Sequence, residues 1–300
     1  MYGYCFAGIA AKEQLDIEAA ESYFRQALEL AQRSSGRRSY ATRLAGAVLG
    51  DLLYEQGHMD EAERLLDESY QLGSEGGLVE FLLVTYGTGA RIKALRGDHE
   101  AASKRLDEGA RIADTLGLPR LAARIKNERI RFGPAPTAER ERKPRLSDAD
   151  TDSFGVQRTG ADGIATITAE LEEDSAIRVS LACGSFAEAC SRSEKLLRNR
   201  LSQDRPRALL RAQLGHVAAL SAAGRVDEAK DEVIPLVVKC AEVGLIQIVC
   251  DENPQIGRLI ALLNEDQVHH QLRSPWPTVP KLFIDTVLAD LDRTTHRSTR

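Results

Sequence analysis

The sequence predicts an all-α protein, built as a helical-repeat superhelix (an α-solenoid). A short turn signature recurs five times along the chain, and most neighbouring copies lie about 40 residues apart. The composition is 43% hydrophobic but only 5% aromatic, and the Ala and Leu that dominate it favour helices. A fixed period of this length is typical of stacked helix pairs, in which each repeat packs only on its neighbours.

The turn signature places an alanine at one fixed position of every repeat. The five copies are Asp16-Ile-Glu-Ala-Ala20, Gly57-His-Met-Asp-Glu-Ala62, Gly97-Asp-His-Glu-Ala-Ala102, Gly184-Ser-Phe-Ala-Glu-Ala189 and Gly224-Arg-Val-Asp-Glu-Ala229. Twelve residues before the first three alanines stand Gly8, Gly50 and Ala90, which are also small. A small residue on each helix of a pair lets the two backbones approach closely. We therefore expect the alanines to face the partner helix of their own repeat.

Four segments follow in order along the chain. Residues 1–132 are predicted to form three helix pairs and a closing helix, which begins at Pro119 after the stop at Gly117. Residues 133–166 lose the apolar period and carry dense charge, which is typical of a flexible linker. Helical patterning returns over 167–264 with two further repeats. Residues 265–300 form a tail punctuated by prolines, with one short helix near 281–291.

Charge and cysteine content restrict the compartment and the partners. The net charge of −5 disfavours a general attraction to nucleic acid or membrane surfaces. No apolar run of about 18 residues and no signal peptide is evident. The five cysteines form no C-x-x-C pair, so neither a disulfide framework nor a zinc site is indicated. We expect a cytoplasmic protein without a metal or cofactor.

Motifs of catalysis are missing from the sequence. It contains no phosphate loop, no H-E-x-x-H pair, no G-x-S-x-G elbow and no kinase signature. The string Tyr86-Gly-Thr-Gly89 lacks the third glycine of a dinucleotide loop and falls within the first helix of a repeat, where small residues serve helix packing. The acidic pair Asp251-Glu252 lies near an expected helix start, where negative charge is favourable by itself. No catalytic residue is therefore predicted.

Tyrosines are the first candidates for ligand binding. All seven lie between Tyr2 and Tyr86, in the first array. Tyrosine combines an apolar ring with a polar tip and suits a groove that touches both solvent and ligand. Tyr54 and Tyr86 are the better candidates because they fall on first helices, which line the concave face of a solenoid. The alternative is that these rings simply fill gaps between helices.

A basic stretch is the second candidate. Between Arg120 and Arg145 there are nine basic residues against three glutamates. The helical part of this stretch gives a possible contact patch for phosphate or for an acidic partner domain: Arg120, Arg124, Lys126, Arg129 and Arg131. The alternative is a solvated helix face that runs into a charged linker, and the absence of interleaved aromatic residues favours it.

Several strings carry a resemblance to a known family, among them Gly117-Leu-Pro-Arg-Leu-Ala-Ala-Arg124 and Gly244-Leu-Ile-Gln-Ile-Val-Cys-Asp-Glu-Asn-Pro254. The chain resembles the tetratricopeptide-like sensor region of MalT-type, LuxR-family ATP-dependent transcriptional regulators. It is also similar to the C-terminal region of actinobacterial serine/threonine kinase K proteins. The family pattern favours glycine after the Asp-Glu pair. Here Asn253 stands in its place, and asparagine also tolerates a left-handed turn.

The resemblance implies a function that the motifs alone do not give. In these families such a repeat region follows an ATPase module, and LuxR-type members continue into a DNA-binding helix-turn-helix. Neither module is found here, so we expect either a part of a longer protein or an orphaned sensor domain. The expected function is a non-catalytic signal-sensing module that binds an effector or a protein partner in its concave groove. The alternative is the regulatory region of a bacterial serine/threonine kinase. On either interpretation, this chain alone is expected to bind no membrane and no specific nucleic-acid sequence.

Overall fold

A computed structural model describes residues 1–76, 78–132, 163–269 and 277–298, and all regular secondary structure in these ranges is helical. This confirms the all-α helical-repeat fold that the sequence predicts. None of the helices in these ranges combines the length and the apolar character needed to cross a bilayer.

Helix pairs fill the first array, as the repeats predict. Its helices are α1 (Tyr2–Glu13), α2 (Ile17–Ser35), α3 (Tyr40–Glu55), α4 (Met59–Tyr70), α5 (Val79–Leu82), α6 (Gly89–Leu95), α7 (His99–Leu116) and α8 (Pro119–Phe132). A short 3₁₀ turn spans Gly73–Gly76. A π-helical segment, Leu83–Thr88, joins α5 to α6, so these three pieces form one first helix with a local widening.

The second array continues the same pattern after the predicted linker. Its helices are α9 (Gly163–Ala182), α10 (Phe186–Leu201), α11 (Pro206–Ala222), α12 (Val226–Val243), α13 (Gln247–Cys250), α14 (Pro254–Val268) and α15 (Lys281–Ser298). Helix α9 begins four residues before the predicted boundary at 167, and α14 ends four residues after the boundary at 264. The linker residues 133–162 lie outside the described ranges.

Backbone geometry explains the recurring turn signature. Gly57 and Gly97 lie in the turns between the two helices of their pairs, with φ values of 87° and 85°. Glycine adopts this conformation without steric cost. The first repeat has Leu15 at the equivalent position, with φ at 60°, and an L-residue adopts this conformation only with strain. The turn therefore depends on the backbone path, and glycine is the residue that makes it easiest.

The five register alanines are buried at relative exposures of 0% to 4%, as the repeat alignment predicts. A Cβ built on Gly50 would lie 3.2 Å from the carbonyl oxygen of Ala62, so these two positions mark the close contact between α3 and α4. At Gly8 a Cβ would lie 2.4 Å from the ring of Phe24 on α2. Small residues on first helices thus make room for backbone and side chains of second helices.

First helices of successive repeats meet in a closed ring. Helix α1 contacts α3, α3 contacts the π segment, the π segment contacts α8, and α8 contacts α9. The ring closes because α9 contacts α11, and α11 contacts α1. The main hydrophobic cluster draws buried residues from both arrays, between Cys5 and Ile92 and between Leu210 and Val287, and within the described residues two smaller clusters lie around Tyr86 and Ile177. How the chain divides into independently folding units stays a prediction.

Replacing Ala62 by Leu should test the repeat register. The added side chain has no room between α3 and α4, so overpacking should lower the free energy of unfolding by about 1 to 3 kcal/mol. Ala187 is exposed on α10, and Ala187→Leu is the matched control with little expected effect. Urea unfolding of both variants measures the difference. Equal stability of the two variants would show that Ala62 does not lie in a tight contact.

Candidate ligand-binding cavity

The ring of first helices surrounds a cavity of about 330 Å³. Residues from α1, α3, the π segment, α6, α8, α9 and α11 line it, together with parts of α2, α5 and α10. Its volume lies at the lower end of the range in which proteins bind small molecules, about 300 to 1,000 Å³. The closed ring therefore leaves a site of small-molecule size at its centre.

Charged side chains dominate the wall of this cavity. The basic residues are Lys12, Arg91, Arg120, Arg124, Arg131, Arg178, Arg200, Arg205, Arg207 and Arg211. The acidic residues are Glu13, Asp51, Glu55, Glu80, Glu170, Asp174 and Glu252. Among the described residues, the lining therefore carries three more positive than negative charges, although the whole chain has a net charge of −5.

Eight apolar residues also line the cavity. They are Ile9, Phe24, Val48, Leu83, Val84, Ile167, Leu171 and Ala208. Small-molecule sites are usually more apolar than this one, so the charged wall favours a polar or charged ligand. No group of three or more His, Cys, Asp or Glu side chains arranged to hold a metal ion is found within the described ranges.

Asp51 lies at the α1–α3 side of the cavity and is bound from two directions. Lys12 forms a buried ion pair with it, and the hydroxyl of Thr88 donates a hydrogen bond of 2.5 Å to Oδ1. Burial raises the pKa of this carboxyl, but the positive charges of Lys12 and Arg207 outweigh burial and hold the pKa well below its usual range. Asp51 is therefore a fixed negative charge that ties α1, α3 and the π segment together.

Asp251 connects the second array to the first. The phenol of Tyr54 donates a hydrogen bond of 2.6 Å to its Oδ1, and Arg91 forms an ion pair with Oδ2. Arg131 donates to the Asp251 carbonyl oxygen at 2.6 Å. Burial and the nearby carboxylate raise the pKa of Tyr54 well above its ordinary value, so the phenol remains a donor. Three side chains of the first array thus hold the turn between α13 and α14.

Glu252 makes a second contact of the same kind. Its Oε1 lies 2.7 Å from Nη2 of Arg178 on α9, and both side chains are 8% exposed. The sequence places Asp251 and Glu252 near an expected helix start, and α14 does begin close by, at Pro254. It is capped by Asn253, whose side chain accepts from the backbone N–H of Gln255. In addition, the two carboxylates form ion pairs with distant helices.

The two predicted groove tyrosines have different surroundings. Tyr54 lines the cavity, but it is only 1% exposed and its hydroxyl is bound to Asp251. Tyr86 is fully buried, contacts the ring of Tyr70 at a centroid distance of 5.6 Å and lies outside the cavity lining. A ligand role for either residue stays a prediction, and of the two it is Tyr54 that lies in the cavity wall.

The five predicted patch residues on α8 do not share one surface. Arg120, Arg124 and Arg131 line the cavity. Lys126 and Arg129 are exposed, and Arg129 pairs with Asp107 on α7 at 2.7 Å. The structure therefore separates this basic helix into a cavity face and a solvent face. A contact of the whole set with an external partner stays a prediction.

Gly87 in the π segment makes room for Arg124, and Gly89 at the start of α6 makes room for Arg105. A Cβ on Gly87 would lie 2.6 Å from Nε of Arg124, and one on Gly89 would lie 2.0 Å from Nη1 of Arg105. The predicted packing role of Tyr86-Gly-Thr-Gly89 is therefore confirmed, although the partners that pack there are arginine side chains. The absence of two side chains lets two guanidinium groups lie directly on the helix.

Sequence reasoning missed most of the cavity arginines. These residues lie on three different first-helix segments, α6, α9 and α11, and their carboxylate partners are up to 194 residues away in the chain. They are Arg91, Arg178, Arg207 and Arg211. The spacing of basic residues along α11 could have indicated part of this wall. Arg207 and Arg211 are four residues apart on α11, so they lie on one helix face. Charge at concave positions of an array usually marks a binding surface rather than a core.

Removing Arg91 should destabilise the ring strongly. Arg91 is 1% exposed and pairs with both Glu128 and Asp251, so Arg91→Met leaves two buried carboxylates without their main partner. Loss of one member of a buried ion pair costs about 3 to 5 kcal/mol. Chemical unfolding should show this loss, while Arg33→Met, at an exposed pair on α2, should leave stability within about 0.5 kcal/mol. A loss at Arg91 no larger than the control would contradict the buried network.

Acid should weaken the same network. Burial raises the pKa of Glu128, but Arg124 and Arg91 outweigh burial and lower the pKa from 4.5 to about 2. Because the folded pKa is the lower one, this contribution to stability is present above about pH 4.5 and is lost as pH falls towards 2. Its upper limit is about 3 kcal/mol, at about 1.4 kcal/mol for each pKa unit.

Unfolding free energies measured between pH 7 and pH 3 should therefore fall less steeply in Glu128→Gln than in the unmodified chain. Glu29→Gln, at an exposed position, should keep the original slope. If the unfolding free energy of the unmodified chain and of Glu128→Gln falls equally with pH, Glu128 does not contribute to the acid sensitivity.

The architecture and the sequence relate this chain to a known family. A closed array of helix pairs around a charged central cavity defines a helical-repeat protein. The chain belongs to the family described as the MalT-like TPR region, which it matches over residues 4–266. It is similar to the serine/threonine-protein kinase PknK of Mycobacterium tuberculosis and to that of Mycobacterium bovis, with 47% identity over 257 residues in each case. The match covers 84% of this chain and 22% of each relative, so the chain spans about a fifth of those kinases.

Proposed function

We propose that this chain is a non-catalytic regulatory sensing module, in which the central cavity binds a small-molecule effector. Membership in the MalT-like TPR family supports a regulatory sensing region. The observation that carries the proposal is the cavity itself, which has small-molecule size and is lined by every first helix of the ring. A protein partner that inserts a segment into the same groove is the alternative occupant.

Ring closure provides a way for binding to be transmitted. Arg207 on α11 pairs with Glu13 on α1 at 2.9 Å, and the Gln14 side chain donates to the carbonyl oxygen of Asp204 at 3.1 Å. These contacts join the beginning and the end of the ring. An effector that contacts both sides favours the closed ring over an opened one in proportion to its difference in affinity for the two states. The orientation of attached modules would follow the same equilibrium.

Two kinds of output are compatible with such a module. The relatives that are 47% identical are serine/threonine-protein kinases, which favours the regulatory region of such a kinase. The resemblance to MalT-type regulators favours control of transcription, through an attached ATPase and helix-turn-helix. In both cases the module would be cytoplasmic and would need neither a cofactor nor a metal. The effector site is proposed to be the same in both.

A ligand screen tests the proposal on this chain. A small molecule present at about 100 times its Kd should stabilise the folded chain by about 2.7 kcal/mol and raise Tm by several degrees. Leu171→Trp puts a larger side chain into the cavity wall and should abolish the shift. Leu262→Trp, at a position 40% exposed on α14, is the matched control and should retain it.

Circular dichroism and Tm without ligand establish that both tryptophan variants are folded. The screen should include anionic, cationic and neutral metabolites. Failure of all of them to stabilise the chain would contradict a small-molecule sensor. A shift that persists in Leu171→Trp would place the ligand outside the cavity.

A further inference from the structure

Three arginines on three different helices are the candidates for ligand contact in the cavity wall. They are Arg124 on α8, Arg200 on α10 and Arg211 on α11, and their side chains are 11% to 24% exposed. The Nη2 atoms of Arg200 and Arg211 lie 3.5 Å from their carboxylates, Glu170 and Glu55. This distance is at the limit of a hydrogen bond. Arg211 therefore gains little from Glu55, whereas Arg200 also donates a hydrogen bond of 2.5 Å from Nη1 to the carbonyl oxygen of Ala208.

Each of the three shares its carboxylate with a second arginine. Glu170 lies 2.8 Å from Arg205. Glu128 pairs more closely with Arg91 than with Arg124. Glu55 pairs more closely with Arg207 than with Arg211. A carboxylate can satisfy one guanidinium fork fully. The second arginine at each carboxylate thus retains unused donors. In addition, the Nε atom of Arg200 is buried and has no hydrogen-bond partner in the described part of the chain.

The side chains of Arg124, Arg200 and Arg211 line the same cavity. Burial lowers the pKa of Arg124, Glu128 opposes this effect, and Arg91 and Arg211 add to it. Burial likewise lowers the pKa of Arg200, Glu170 and Asp174 oppose this effect, and Arg205 and Arg211 add to it. Arg211 therefore repels both other guanidinium groups. Concentrated positive charge in a partly desolvated wall is unfavourable unless an anion compensates it.

We propose that Arg124, Arg200 and Arg211 form the anion-recognition part of the cavity, which selects a small organic molecule with a phosphate or carboxylate group. Guanidinium groups from three helices can surround such a group with bidentate hydrogen bonds. The apolar residues Ile167 and Leu171 in the same wall provide a surface for the uncharged part of the molecule. This inference rests on the proposed function and assigns the chemical class of its effector.

Binding of inorganic pyrophosphate and of citrate to the chain tests the inference, with calorimetry at constant ionic strength. Arg211→Met should weaken binding of the preferred anion by about tenfold or more, because a charged hydrogen-bond donor is lost. Its fold should survive, since Glu55 keeps Arg207 as its partner. Arg198→Met on α10, where the side chain is 63% exposed, is the control and should bind as the unmodified chain does. Tighter binding of pyrophosphate than of citrate would indicate a phosphate ligand, and the reverse order a carboxylate ligand.

Equal affinities of Arg211→Met and the unmodified chain would overturn the inference, as would the absence of binding of both anions. A neutral effector from the ligand screen that is lost in Leu171→Trp but unaffected by Arg211→Met would leave the sensing function standing and refute anion recognition alone. If no effector stabilises the chain and neither anion binds, both the sensing function and anion recognition are refuted.

Discussion

Burial of paired charges inside the ring is the constraint on which the rest of the structure depends. The first helices cannot approach each other through apolar contacts alone, because their concave faces carry arginines, lysine and carboxylates. Each charge that leaves water must find a partner on another helix, or its desolvation is not compensated. The partners lie on neighbouring segments, as for Lys12 on α1 with Asp51 on α3. Arg207 on α11 pairs with Glu13 on α1, so charge pairing contributes to closure of the ring.

Such pairs contribute more to specificity than to net stability. The desolvation of two ions offsets most of their attraction, so apolar residues of similar volume would often serve stability equally well. Apolar first helices, however, could pack in many registers. Asp251 must reach Tyr54 and Arg91 at once, and only one superposition of the two arrays permits this. The free energy for folding then comes mainly from the shared hydrophobic cluster.

The fold could be predicted from the sequence because its determinants are local. The register alanines and the turn glycines lie within one helix pair, and their spacing repeats. The cavity could not be predicted in the same way. Tyr54 and Asp251 are 197 residues apart, and no local pattern connects them. Helix α8 illustrates both cases: its start at Pro119 was predicted, whereas the separation of its basic residues into a cavity face and a solvent face required the three-dimensional path.

The shared carboxylates have a consequence for how such a sequence can change during evolution. Glu55, Glu128 and Glu170 each serve two arginines. Substitution of the more loosely held arginine leaves the carboxylate neutralised, so a lineage can lose or replace that arginine and keep the fold. Substitution of the carboxylate leaves two arginines without their acidic partner. Related proteins should therefore retain the acidic positions as an architectural frame, while the loosely held basic positions vary and adapt the cavity to different ligands.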